Sequence, residues 1–249
     1  MKIVRFISLS ILFLLLLAVV FVSVGVPRIL NSAFAVSKIE EILSKKSGYD
    51  ISLQGFKVAF AKDFSYRIFV DTLDAKTEDV EIFKVEHLDF SSKILAKKVD
   101  KLNIKSIYLD FEKLKPKLEA NKNKNSSSLN INYLPIVNIR KAIVRFDDKS
   151  GIKFINIHSE KIEDTVYCAL TAYLTVPYSN EPIIIGEDGY LYFTKSVNFE
   201  DFTLRYKNSK LNLTGTIDNL NFNGKDLSVY DLKNFFVFFY YTQHNNKRN

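Results

Sequence analysis

The chain has 249 residues, with 35 Lys and Arg against 28 Asp and Glu, a net charge of +7, one cysteine and no tryptophan. One cysteine excludes an intramolecular disulfide, and three scattered histidines (His87, His158, His244) form no ligand-spaced metal cluster. The lysines are spread along the whole chain rather than gathered on one patch, which argues against a nucleic-acid partner.

Residues 6–26, FISLSILFLLLLAVVFVSVGV, are 21 consecutive positions without a charge. At ~1.5 Å per residue such a helix covers the ~30 Å core of a bilayer. The expectation is a signal anchor within residues 1–28, and Lys2 and Arg5 before it favour a cytoplasmic N-terminus with the rest outside. Ala33-Phe34-Ala35 has the small-x-small pattern of a signal cleavage site. A secretory apolar region is, however, only ~7–15 residues long, and here Pro27 and Arg28 intervene, so retention is the preferred reading. Residues 29–48 form a juxtamembrane segment. Within it VSKIEEILSKK (36–46) sets Val36, Ile39, Ile42 and Leu43 on one helical face, and Gly48 ends it as a C-cap. Contact of this helix with the membrane surface is a secondary expectation beside its starting the domain.

From residue 50 the period becomes two, as expected for strands in a first sheet segment, 49–114. Ile51 and Leu53 alternate, then Val58 and Phe60, with Gly55 between the pairs as a bulge or kink. Tyr66, Ile68 and Val70 follow, then Val80, Ile82, Val85, Leu88 and Phe90, a helical turn at SSKILA (91–96), Leu102 and Ile104, and Ile107, Leu109 and Phe111. Lys, Asp, Glu, Ser and Thr fill the alternate positions, the pattern of an antiparallel sheet with one covered face. Residues 115–132 are rich in Lys, Asn and Ser and read as a flexible polar loop.

A second sheet segment, 133–230, resumes with Ile136 to Phe146, a turn at Asp147–Gly151, and Ile152, Phe154 and Ile157 as a hairpin partner. Val166–Val176 and Ile183–Phe193 are two longer runs; Leu204 to Tyr206 and Leu211 to Ile217, turning at Asn208-Ser209, close the series. Asn103-Ile104-Lys105 and Asn138-Ile139-Arg140 echo one another faintly. The aromatic tail, 231–249, contains FFVFFYY (235–241): a buried strand, an interfacial segment, or the end of a truncated chain. Cys168, within Tyr167-Cys168-Ala169-Leu170, reads as a buried structural thiol, and the triplets at Asn125 and Asn212 match the glycosylation pattern at a frequency chance allows.

No GxSxG, HExxH, phosphate loop, GxGxxG or paired CxxC occurs, and the adjacent carboxylates Asp147-Asp148 and Glu40-Glu41 diverge in a strand or helix. No catalytic residue, metal ligand or cofactor is therefore expected, and an enzyme is not.

The order anchor, short helix ending SGYDISL (47–53), VEIFKVEHLDFSSKILAKKVDKLNIKSIYLDFEKLK (80–115) and VNFEDFTLRYKNSKLNLTGTIDNL (197–220) resembles the N-terminal region of the AsmA-like proteins, the group that also contains TamB and YhdP. The resemblance implies a bacterial envelope protein anchored in the inner membrane, with a curled sheet facing the periplasm that binds or transfers phospholipid or another envelope lipid. The chain is shorter than common members of that group. The fold expectation is mostly β: the transmembrane and amphipathic helices, then an antiparallel curled sheet forming either a β-groove or an open sandwich. Candidate lining residues are Ile51, Leu53, Val58, Phe60, Ile68, Val70, Leu102, Ile104, Ile107, Leu109 and Phe111. The alternative is a bitopic envelope scaffold that binds protein partners through its sheet edges, without lipid transfer.

Overall fold

The computed structural model describes residues 16–61, 65–78, 80–93, 99–114, 134–163, 165–177, 179–194, 196–216, 219–228 and 231. The expected loop 115–132 and the FFVFFYY run lie outside these residues, and the uncharged run 6–26 is described only from Leu16. Two helices lead the described chain. Helix α1 (Leu16–Leu30) takes a π-helical turn at Phe21–Gly25. Helix α2 (Ala33–Ser47) is capped by the Ser32 hydroxyl, which accepts the Ala35 N–H, and stops at Gly48, whose φ of 72° is the left-handed C-cap conformation. The predicted helix 36–46 thus begins three residues earlier, and Ala33-Phe34-Ala35 forms its first turn. No single described helix is long and apolar enough to cross a membrane; α1 and α2 satisfy length and composition only as a pair bent by 68°.

The remainder is one sheet. Its strands are β1 (Asp50–Gln54), β2 (Lys57–Phe60), β3 (Ser65–Thr77), β4 (Val80–Lys93), β5 (Val99–Asp110), β6 (Ile136–Arg145), β7 (Gly151–Ile162), β8 (Thr165–Thr175), β9 (Ile183–Ile185), β10 (Tyr190–Phe193), β11 (Val197–Tyr206), β12 (Ser209–Thr216) and β13 (Asn219–Lys225). The order across the sheet is β1-β3-β4-β5-β6-β7-β8-β10-β11-β12-β13, with β2 continuing β1 along β3 and β9 sharing β8 and β11 with β10. The expectation of an antiparallel sheet needs one correction: β5 and β6 run parallel. A parallel pair needs a crossover of a dozen or more residues, and the polar segment after β5 supplies that length. The sequence echo is this pair in register, Asn103 opposite Asn138 and Ile104 opposite Ile139. Three further readings change. Ser91–Lys93 extend β4 instead of forming a helical turn, and residues 94–96 lie outside the description. The run 183–193 splits into β9 and β10 around Gly186 and Gly189, and β13 adds a strand beyond the last one expected.

One line of irregular residues crosses this sheet at a constant level. Pairing skips Asp71 and His87 between β3 and β4, Lys105 between β4 and β5, and Arg140 and Asn156 between β6 and β7. Between β7 and β8 the register shifts by one opposite Leu170. Gly55 continues the line at one edge, where a Cβ would run into the Asp71 side chain; Gly186, Gly189 and Asp201 continue it on the other side. Gly55, His87, Asn156, Gly186 and Asp201 have φ of 64°, 48°, 53°, 69° and 47°. The sequence shows why the line exists. Apolar positions on either side of it are three apart: Val70 and Leu73, Leu88 and Val85, Ile104 and Ile107, Ile139 and Ala142, Ile157 and Phe154. Three is odd, so regular strands would turn the two sets to opposite faces. Strand β8 alternates without a break through Val166, Cys168, Leu170, Ala172 and Leu174, pairing Cys168 with Ser159 and Ala172 with Phe154. Both sets therefore share one face, and the bulge-like residue in each strand takes up the odd position.

Helix α2 covers the outer edge of β1. The Glu40 carboxylate accepts the Leu53 N–H at 2.7 Å and the Ser44 hydroxyl accepts the Ile51 N–H at 2.9 Å. Four residues of helix rise ~6 Å and two residues of strand ~6.6 Å, so side chains at i and i+4 match alternate outward N–H groups. At the junction of α1 and α2, the Asn31 side chain accepts the Val58 N–H at 2.6 Å and donates to the Val58 carbonyl at 2.9 Å, sealing β2 in the same way. At the other end β8, β9, β11 and β12 bury an apolar cluster that includes Ala172, Ile183, Leu204 and Leu213.

Two outcomes are expected in urea unfolding of the full chain. Asn31→Ala leaves both Val58 backbone groups unpaired and lowers stability by about 1–3 kcal/mol. Gly189→Ala places a Cβ against the Asp201 carbonyl at a φ of 80° and costs more than ~1 kcal/mol.

Candidate functional site: a one-sided apolar face

The apolar face is built of rows that run across the strands. On one side of the irregular line, one row joins Leu53, Leu73, Val85, Ile107, Ala142, Phe154 and Ala172; the next joins Ile51, Ala75, Phe83, Leu109 and Val144. On the other side one row joins Val70, Leu88, Ile104 and Ile139, and the next Val58, Ile68, Phe90, Leu102 and Val137. Buried and half-buried residues alternate through all four rows. Leu53, Val85, Ala142, Val70 and Ile104 beside the line and Val58 and Ala75 in the outer rows are buried. Leu73, Leu88 and Ile107 beside the line and Ile68, Phe90, Leu102 and Leu109 in the outer rows are half-buried. Among the described elements, none packs extensively across β3–β6 as a second layer; the helices sit chiefly at β1 and β2, and the Tyr66 hydroxyl of β3 donates to the Val22 carbonyl at 3.0 Å.

Ten of the eleven predicted lining residues lie in strands on this face. Leu53, Val58, Val70 and Ile104 are buried, and Ile51, Phe60, Ile68, Leu102, Ile107 and Leu109 are half-buried. Phe111 falls outside the sheet, in a helical turn at 111–114, where it is 37% exposed and meets the Phe146 ring edge-on. The rows also contain residues the list lacked, notably Leu73, Val85, Leu88 and Ala142. Their signal was the recurrent three-residue step, which reads in one dimension as a break between strands.

The opposite face is wet and ion-paired. Ser106 donates to Glu86 at 2.7 Å, Arg67 to Asp89 at 2.8 Å, and Asn138 to Asn103 at 3.0 Å. Asp71 and His87 lie 3.8 Å apart on the irregular line. Tyr167, Tyr190 and Tyr192 gather on this face of β8 and β10 with ring centroids 5.5–6.5 Å apart. Among the described residues no group of three His, Cys, Asp or Glu could hold a metal ion. Cys168 is buried, as expected, and its burial pushes the thiol up, away from the thiolate a nucleophile needs.

Asp110, the most buried charge among the described residues, closes the parallel pair at the end of β5. Its carboxylate accepts the Arg145 Nη2 and Nε hydrogens at 2.7 and 3.1 Å, the Lys113 N–H at 3.3 Å, and sits 3.2 Å from Lys113 Nζ. Burial alone would raise its pKa, but the Lys113 and Arg145 bonds outweigh that and hold it below the usual carboxylate range. A depressed folded pKa contributes stability that is present above the unfolded value of ~3.9 and lost as pH falls through the folded value. The urea midpoint of the protein is therefore expected to fall on acidification below about pH 4, and Asp110→Asn to lower the midpoint at pH 7 and flatten that acid limb. An acid limb unchanged by the substitution would assign the dependence to other carboxylates.

Comparison of the chain with protein-family models, with curated proteins and with solved structures finds no match.

Proposed function

We propose that the protein is a lipid-binding module: anchored in the bacterial inner membrane through residues 6–26, with its sheet in the periplasm, and offering the apolar face of β3–β6 to the acyl chains of a phospholipid or another envelope lipid. The observation that carries the proposal is that face. Four adjacent rows of Val, Leu, Ile, Phe and Ala lie without a covering layer among the described elements, backed by a solvated polar face. Apolar area left in water costs ~25 cal/mol per Å². The half-buried side chains of the face, among them Ile68, Phe90, Leu102, Ile107 and Leu109, keep part of theirs, which a second layer or a ligand of apolar character would cover. Exposed apolar side chains at Leu16, Leu17, Val19, Val20, Phe21 and Val24 support a bilayer around α1.

The second reading, an envelope scaffold recruiting proteins by strand addition, is favoured by one feature only: the exposed residues of β13. The opposite edge is closed by Asn31, Glu40 and Ser44.

Photo-crosslinking residues at Ile68 and at Leu109 in the full chain are expected to yield lipid adducts in cells, and the same probe at Lys153 none. Ile107→Lys is expected to reduce co-purifying lipid by ~tenfold, the scale of a lost apolar contact and a buried charge. A folded protein free of lipid, with a dominant protein adduct instead, would favour the scaffold. For orientation, a C-terminal tag is expected to become accessible to protease only after the outer membrane is opened; its protection in spheroplasts would reverse the assignment.

A further inference from the structure

We infer that the outward stripe of α2, formed by Phe34, Lys38, Ile42 and Lys45, seats in the headgroup layer of an anionic membrane surface, so that α2 lies on the bilayer and forms a plate between it and the first strand. The inference rests on the reading of α1 as membrane-embedded. The inward side of α2 is already occupied: Glu40 and Ser44 bond the edge of β1, and Ile39 and Leu43 are half-buried beside them. What remains faces away from the sheet. Phe34 is 76% exposed and Ile42 52%, and positions 34, 38, 42 and 45 stack along one side of a helix.

Three observations name a lipid surface as the occupant. First, the exposed apolar character is continuous with that of α1, through Ile29 at the junction. Second, the outward side carries Lys38, Lys45 and Lys46 against one outward carboxylate, Glu41, which Lys38 already pairs. Apolar and aromatic residues set between lysines are what an interfacial helix presents to acidic headgroups, the lysine stems lying along the apolar boundary. Third, the 68° bend decides the geometry. If α1 follows the bilayer normal, α2 lies much closer to the membrane plane than to that normal. A straight continuation would have carried Phe34 and Ile42 away from the surface.

The test uses the full chain in nanodiscs of phosphatidylethanolamine and phosphatidylglycerol, with the buried Cys168 replaced by Ala and an environment-sensitive fluorophore on Phe34→Cys or Ile42→Cys. Both positions are expected to show blue-shifted emission and quenching by lipid-borne spin labels, while the same fluorophore on Lys153→Cys stays water-like. Water-like emission at both 34 and 42 in chains that remain in the disc would overturn the inference and leave the anchor standing. A blue shift that vanishes when each disc holds a single copy would assign the stripe to a second copy and overturn it equally. Loss of the chain from the discs on detergent removal would instead overturn the anchor, and this inference with it. Lipid occupancy of the sheet does not enter any of these readouts.

Discussion

A sheet with water on one side and apolar contacts on the other depends on phase. Each strand must deliver its apolar side chains to the same face along its whole length, and a slip of one residue delivers half of them to water. Here the strands of β3–β7 each carry an apolar pattern whose two halves are out of step by one. The molecule meets this constraint with a single line of bulge-like residues from Gly55 to Asp201, held at one level across the sheet. Because the line is shared, the ladder resumes in the same register on its far side from β3 to β7, and shifts by one residue where β7 meets the unbroken β8. A bulge also bends its strand, so a line of them at one level provides a fold line.

The same economy appears where the sheet stops. Unpaired strand edges invite other strands, and β1 and β2 are sealed by polar side chains from the helical segment directly preceding them in sequence. The α1–α2 junction and α2 itself are thereby tied to the sheet at three backbone N–H groups, that of Val58 by Asn31 and those of Ile51 and Leu53 by Ser44 and Glu40. The exit from the parallel pair is held differently. Asp110 gathers Arg145 and Lys113 at the point where β5 ends, fixing the end of a pairing that has no hairpin to define it.

Much of the sheet was legible in the alternation of residues 51–60, 66–70 and 102–109, and Gly48 and Gly55 marked a cap and an interruption that depend on their positive φ. The parallel junction was not legible, because the direction of a strand leaves no trace in its own period. Only the Asn103/Asn138 echo carried it, and an echo does not say that its two halves are neighbours. Strand β13 was hidden by composition: NLNFNGK is rich in Asn and Gly, which signal turns, yet it pairs residue by residue with β12. The run at 183–193 hid two glycines whose conformation splits it. For the face itself, alternation placed ten lining residues on strands, whereas Phe111 continued the pattern on paper past the point where Asp110 ends the strand. The step of three between rows was visible all along, and its meaning came only from seeing every strand take it at the same height.

The sealed edge has a consequence for how copies of the chain could meet. Open-ended fibres of sheets grow when two different edges pair head to tail, each new copy exposing the edge the next one needs. With β1 and β2 bonded to Asn31, Glu40 and Ser44, that repeating match is blocked. Pairing between copies through described strands is left to β13 against β13, a self-complementary contact about a two-fold rotation axis, complete after two molecules. Among the described strands, the three capping side chains thus leave a closed pair as the edge-to-edge arrangement the sheet permits.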